Sequence, residues 1–174
     1  FWWMDKNEEG TTMITAPEGG KVDPNNYTIE RYYSMKKIPE EYREYVEEIG
    51  EIKGNLAYTL GYVKVTKNEF NDTLYVYMNN VGDKLRFEIR IYPEEIQRVR
   101  ETYPGYTFER EFEDEGISFD VFSKEESSGE YTYIMYFYYG KEKYIVIGRN
   151  DEDRIQDIVI AYKNVVLSHE GNQQ

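Results

Sequence analysis

The run Tyr131-Thr132-Tyr133-Ile134-Met135-Tyr136-Phe137-Tyr138-Tyr139 constrains this chain more than any other segment. Successive side chains of a strand point to opposite faces, so a strand that is apolar or aromatic on both faces belongs in the middle of a sheet with cover on each side. It continues through Gly140-Lys141-Glu142-Lys143 into Tyr144-Ile145-Val146-Ile147, which predicts a hairpin. The expectation is a central strand with helices over one side and tyrosines over the other.

The neighbouring segments fit that sheet. Leu85, Phe87, Ile89 and Ile91 alternate with Arg86, Glu88, Arg90 and Tyr92, the pattern of a strand with one apolar face. Leu74 to Met78 joins it through a turn-rich loop, Asn79 to Lys84, and Leu56 to Val65 reads as a further strand. Tyr106 to Phe112 and Ile117 to Val121 alternate around the turn Glu113-Asp114-Glu115-Gly116. Three segments have helical spacing. Ile38 to Ile52 places Tyr42, Tyr45, Val46 and Ile49 on one side, with Pro39 and acids at the start and Gly50 at the end. Pro93 to Tyr103 offers a second helix, closed by Pro104-Gly105. Glu152 to Val165 offers a third, capped by Asn150 or Asp151, with Ile155, Ile158, Val159 and Tyr162 inward. The fold class is therefore α+β: a twisted antiparallel sheet of about six or seven strands with two or three helices packed on one face.

A length of 174 residues suits one core, and with no cysteine that core forms without cross-links. Residues 1–26 read as an arm or linker, 27–167 as the domain and 168–174 as a tail. The arm opens on Phe1-Trp2-Trp3-Met4 and turns polar at Asp5, as the trailing edge of a membrane helix does, since Trp gathers at the lipid–water boundary. This places the domain at the extracytoplasmic face of a membrane, touching lipid only through a preceding helix.

Ile38-Pro39-Glu40-Glu41-Tyr42, Phe137-Tyr138-Tyr139-Gly140, Tyr144-Ile145-Val146-Ile147-Gly148 and the closing helix from Asp151 to Val166 resemble motifs of uncharacterised extracytoplasmic domains of Gram-positive bacteria. Those domains hang from a single transmembrane helix, some on anti-sigma-factor-like proteins. The resemblance covers residues 28–166 and implies a location and an architecture; the family has no catalytic motif to transfer. The chain departs from it at Glu41, where such domains often carry Gly, and at Phe137 or Tyr138, where they often carry Trp.

Charge and composition narrow the function. With 21 Lys and Arg against 34 Asp and Glu the net charge is −13, which repels nucleic acid phosphates and anionic lipid. The single histidine, His169, and the absence of cysteine remove thiol nucleophiles and thiolate zinc sites. No cofactor is expected. Two acidic clusters, Glu113-Asp114-Glu115 and Asn150-Asp151-Glu152-Asp153, hold carboxylates close enough to suggest Ca²⁺, with Asp151 and Asp153 the candidate ligands, but neither follows a calcium-loop pattern. They read more simply as a hairpin turn and a helix cap. The 19 tyrosines read most simply as rings that cover the core of a half-wet sheet; the recognition alternative rests on Tyr75, Tyr77, Tyr136 and Tyr138, which alternate with apolar residues, so an open sheet face would present them as an aromatic platform for a protein, peptide or envelope polymer. If those rings instead form a second core layer, the site falls to the hairpin loops around Gly82 or Gly140. The favoured function is thus a non-enzymatic extracytoplasmic binding or sensing domain. The alternatives are a soluble acidic nucleic-acid mimic, disfavoured because acids alternate with Lys and Arg along the strands, and a carboxylate-based hydrolase.

Overall fold

The computed structural model describes residues 27–52, 59–80 and 83–172. In chain order these form β1 (Thr28–Tyr32), a 3-10 turn (Met35–Lys37), α1 (Glu40–Gly50), β2 (Thr59–Lys67), β3 (Asp72–Asn80), β4 (Asp83–Ile91), β5 (Thr107–Asp114), β6 (Ile117–Glu125), β7 (Tyr131–Tyr139), β8 (Glu142–Arg149) and α2 (Glu152–Asn172). The strands make one sheet in the order β1-β2-β3-β4-β8-β7-β6-β5, antiparallel throughout. Two four-stranded meanders thus meet edge to edge where β4 pairs with β8, and β7 lies inside the sheet as its two apolar faces require.

The alternation read in β4 holds. Leu85, Phe87 and Ile89 are fully buried beneath the helices, and Ile91 packs against the same cluster. From α1 come Tyr42, Val46 and Ile49, and from α2 come Ile155, Ile158, Val159, Tyr162 and Val166. Tyr162 anchors α2, presenting its edge to Phe87 at 5.4 Å, to Phe137 at 6.0 Å and to Tyr144 at 5.4 Å between centroids. The first turn of α2 seats on Gly148, where a Cβ would collide with Ile155 and come within 2.8 Å of Leu85 Cδ2. Asp151 starts the helix, its Oδ1 accepting from the Arg154 backbone N–H at 3.1 Å.

The α+β sheet is as expected, and its eight described strands are the seven read from the sequence plus β1, a five-residue edge strand whose Ile29 and Tyr32 are too few to signal a period. Three expectations are corrected. Residues 93–103 are not a helix; they run extended across the sheet face opposite α1 and α2, as one strap linking β4 to β5. The tail assigned to 168–174 is largely the end of α2, which continues to Asn172. The β3–β4 pairing reaches Asn80 and Asp83, shortening the loop expected over Asn79 to Lys84. The arm 1–26 with its Trp pair, the chain from Leu56 to Tyr58 and the Gly82 turn lie outside the described residues. Among the described residues no helix is long and apolar enough to cross a membrane.

Phe87 lies at the junction of both meanders and α2, so Phe87→Ala is expected to lower unfolding free energy by about 3–5 kcal/mol through lost burial and an unfilled cavity. Urea denaturation followed by far-UV circular dichroism measures this; an unchanged midpoint would contradict the register.

Candidate functional site

The sheet face turned away from the helices is closed. Tyr77 and Tyr136 are completely buried, and Tyr75 and Tyr138 are half-buried, so the open aromatic platform is not present. Tyr136 belongs to a second core layer with Phe122, Ile134, Ile145 and Ile147, covered by Tyr103 and Tyr106 of the strap. Tyr77 stacks on Tyr62 at 4.4 Å, and the Lys64 ammonium lies 4.4 Å from the Tyr75 ring centre.

The hydroxyls explain why these residues are tyrosine. Tyr138 donates to the Val99 carbonyl at 3.0 Å, and the Tyr136 oxygen accepts from the Glu101 backbone N–H at 3.0 Å. Strap backbone groups that a helix would satisfy internally are satisfied here by side chains of β7. Charge holds the remainder. Glu101 receives two hydrogen bonds from Arg90, at 2.9 and 3.0 Å, and pairs with Lys143 at 2.9 Å. Arg98 donates to the fully buried Asp120 at 2.6 Å. Lys143 has no exposed side-chain surface; its ammonium sits 3.8 Å above the Tyr136 ring centre and 3.1 Å from the Tyr103 hydroxyl. Burial and the neighbouring Arg90 lower its pKa to about 7, against the opposing pull of Glu101. Glu101 is held below the usual carboxylate range: burial would raise it, but Arg90 and Lys143 outweigh that. An amine this enclosed can hold the strap but cannot meet a substrate.

The open site lies on the other side, where α1, the end of α2 and the β7–β8 turn meet. That turn is a two-residue connection with Gly140 at φ +61°, a conformation glycine adopts without penalty. It carries Lys141 and Glu142 to the rim of a cleft of about 390 Å³ lined also by Glu44, Tyr45, Glu48, Tyr144 and His169. Glu44 and Glu48 stand one turn apart on α1 and so share a face. His169, from the last turn of α2, reaches between them: Nδ1 is 3.7 Å from Glu44 Oε1 and 3.7 Å from Glu48 Oε2, and Nε2 is 2.6 Å from Glu51 Oε2. Tyr45 donates to Glu142 Oε1 at 3.1 Å across the cleft wall.

Electrostatics mark this cleft. Glu48 is 5% exposed, and burial pushes its carboxyl up to about 7, with His169 opposing and Glu44 reinforcing the shift. Burial draws His169 down, but the hydrogen bond to Glu51 and the charge of Glu48 prevail and leave it above its ordinary value. Glu44, Glu48 and His169 each offer one ligand atom within 4.8 Å of the others.

None of these residues was singled out from sequence as a site, although Gly140 was named as an alternative centre. The signal for Glu48 was present: it lies three residues after Tyr45 and four before Ile52, on the inward stripe of α1. The acids that were singled out have other work. Asp151 caps α2, Asp153 is exposed in its first turn, Glu152 pairs with Arg110 at 2.8 Å, and Asp114 and Glu115 both pair with Lys163, at 2.6 and 2.9 Å. Comparisons with protein-family models, with curated proteins and with solved structures give no match.

Lys143 yields a pH signature. Unfolded, its amine titrates near 10.5, and folded near 7, so between these values the unfolded chain binds more protons and stability rises with pH. Lys143→Met removes that contribution. The difference in unfolding free energy, wild type minus variant, is expected to grow from pH 7 to pH 9 and to be flat below pH 6, read by urea denaturation at fixed ionic strength. A flat difference throughout would show an amine that stays charged beside Glu101.

Proposed function

We propose that this chain is a non-enzymatic binding or sensing domain, held at the extracytoplasmic face of a membrane, whose ligand enters the cleft between α1, α2 and the β7–β8 turn and carries positive charge. The observation that carries the reading is Glu48: a carboxylate buried in the wall of an open cleft, facing Glu44 and His169, with no hydrogen-bond donor among the described residues and only the 3.7 Å approach of His169 to compensate it. Burying a carboxylate without donors costs free energy that a cationic ligand returns on binding. The closed second face supports the same location for the site, since the strap removes the tyrosines from contact. Lysine-bearing peptides or an amine-bearing envelope polymer have the required chemistry. The membrane placement rests on Phe1-Trp2-Trp3-Met4 and on the resemblance to membrane-anchored domains.

A fluorescein-labelled oligolysine peptide provides the test by anisotropy. Glu44→Gln with Glu48→Gln is expected to weaken its binding at least tenfold. Glu94→Gln with Glu95→Gln, which removes equal charge from the strap side, should leave it within twofold. Equal losses in both would mean that the peptide senses net charge alone. Placement is checked on intact cells, where added protease is expected to remove the domain from its anchor; full protection would refute the extracytoplasmic reading.

A further inference from the structure

Glu48, Glu44 and His169 form a donor set of two carboxylate oxygens and one imidazole nitrogen, drawn from two helices and converging at the wall of the cleft. Resting on the cleft being the ligand site, we propose that Glu44, Glu48 and His169 bind a first-row divalent metal ion, of the Zn²⁺ or Mn²⁺ class, through Glu44 Oε1, Glu48 Oε2 and His169 Nδ1.

The first argument is the burial of Glu48. Its carboxylate is more than nine-tenths buried, lines the cleft, and accepts no hydrogen bond from the described residues. Buried carboxylates of proteins are paired, hydrogen-bonded or metal-bound, and the single pairing of Glu48, with His169 at 3.7 Å, is too long to be a hydrogen bond as well.

The second argument is directional. Glu51 accepts from His169 Nε2 at 2.6 Å, which holds a proton on Nε2 and turns Nδ1 toward Glu44 and Glu48. Metal-bound histidines use this arrangement, one ring nitrogen on the ion and the other donating to a carboxylate. Distances agree. Around an ion with bonds of about 2.0–2.1 Å, tetrahedral ligand atoms lie about 3.3–3.4 Å apart. Both carboxylates stand 3.7 Å from Nδ1, so each of those edges closes by a few tenths of an ångström. All three ligand atoms already lie within 4.8 Å of one another, so the Glu44–Glu48 edge closes by a side-chain movement of at most about 1.5 Å.

The third argument is selectivity. Two carboxylates balance a divalent charge, and an imidazole nitrogen beside them favours zinc, manganese or iron over calcium, which takes six to eight oxygens. Three protein ligands leave a coordination position open toward the cleft, where a ligand of the domain could complete the shell.

The chain carries one histidine, so its imidazole resonances are unambiguous. Chelator-treated full-length chain is titrated with ZnCl₂ alone at pH 7, by calorimetry and by long-range ¹H–¹⁵N correlation of the imidazole. The expected result is one ion per chain with Kd in the micromolar range or tighter, and a shift of Nδ1 while Nε2 keeps its proton. Glu48→Gln and His169→Ala are each expected to weaken binding at least 100-fold. Glu51→Gln, a loss of ring orientation only, is expected to weaken it about tenfold to 100-fold. Circular dichroism establishes that each variant is folded, and Glu44→Gln, at an exposed position, supplies a ligand variant with little structural burden. Absence of saturable binding, engagement of Nε2 instead of Nδ1, or binding that survives Glu48→Gln and Glu44→Gln would each overturn the site and leave a cluster of ion pairs. The two readings separate: if zinc fails while oligolysine still depends on Glu44 and Glu48, the cleft remains a cation site and only the metal is lost.

Discussion

Glu101 holds the two sides of this molecule in their present roles. It is the acceptor that Arg90 of β4 and Lys143 of β8 share, at the seam where the two meanders join. Two cations brought together on a buried sheet face repel each other unless an anion lies between them, and the strap supplies that anion from above. Once Glu101 is in place, Tyr103 covers Lys143, Tyr136 receives the strap N–H, and the face becomes a second core layer. Among the described residues the face under the strap is therefore covered, and the acidic cleft lies at the edge of the helical layer.

That position gives the acidic cleft its character. Helices α1 and α2 present their apolar sides to the sheet, anchored by Ile49 and Tyr162, and their polar flanks converge past the β7–β8 turn. Four glutamates and one histidine gather there: Glu44 and Glu48 from α1, Glu51 capping its C-terminus, Glu142 from β8 and His169 from α2. Exposed acids at such density would be ordinary on a chain of net charge −13. Glu48 differs because it is buried, and a buried carboxylate without donors is the arrangement that binding a cation relieves.

Most of the fold was legible because its periods are unmixed. Leu85, Phe87 and Ile89 alternate strictly, and no helical arrangement places them together. The helix preferences of 40–50 and 152–165 agree with their neighbours on caps, acids and apolar stripe. The strap was misread for a physical reason: Ile96, Val99 and Tyr103 have helical spacing, and what overrides it is the offer of tyrosine hydroxyls and cations from strands more than thirty residues further along. β1 was missed because two apolar residues in five carry no period. The candidate site was hardly legible, since Glu51 and His169 are 118 positions apart and either alone reads as a solvated surface residue.

By itself, then, the amino-acid order determined the α+β class, the central place of β7, the inward face of β4 and the two helices, because local periodicity states which side of each element avoids water. Only the tertiary structure decided that Tyr77 and Tyr136 are buried and that Glu44, Glu48 and His169 line one acidic cleft. Both outcomes depend on long-range partners: Glu101 for Lys143 and Arg90, and His169 for Glu48. Such pairings have no period to betray them, and they exist only once the sheet has brought its two halves together.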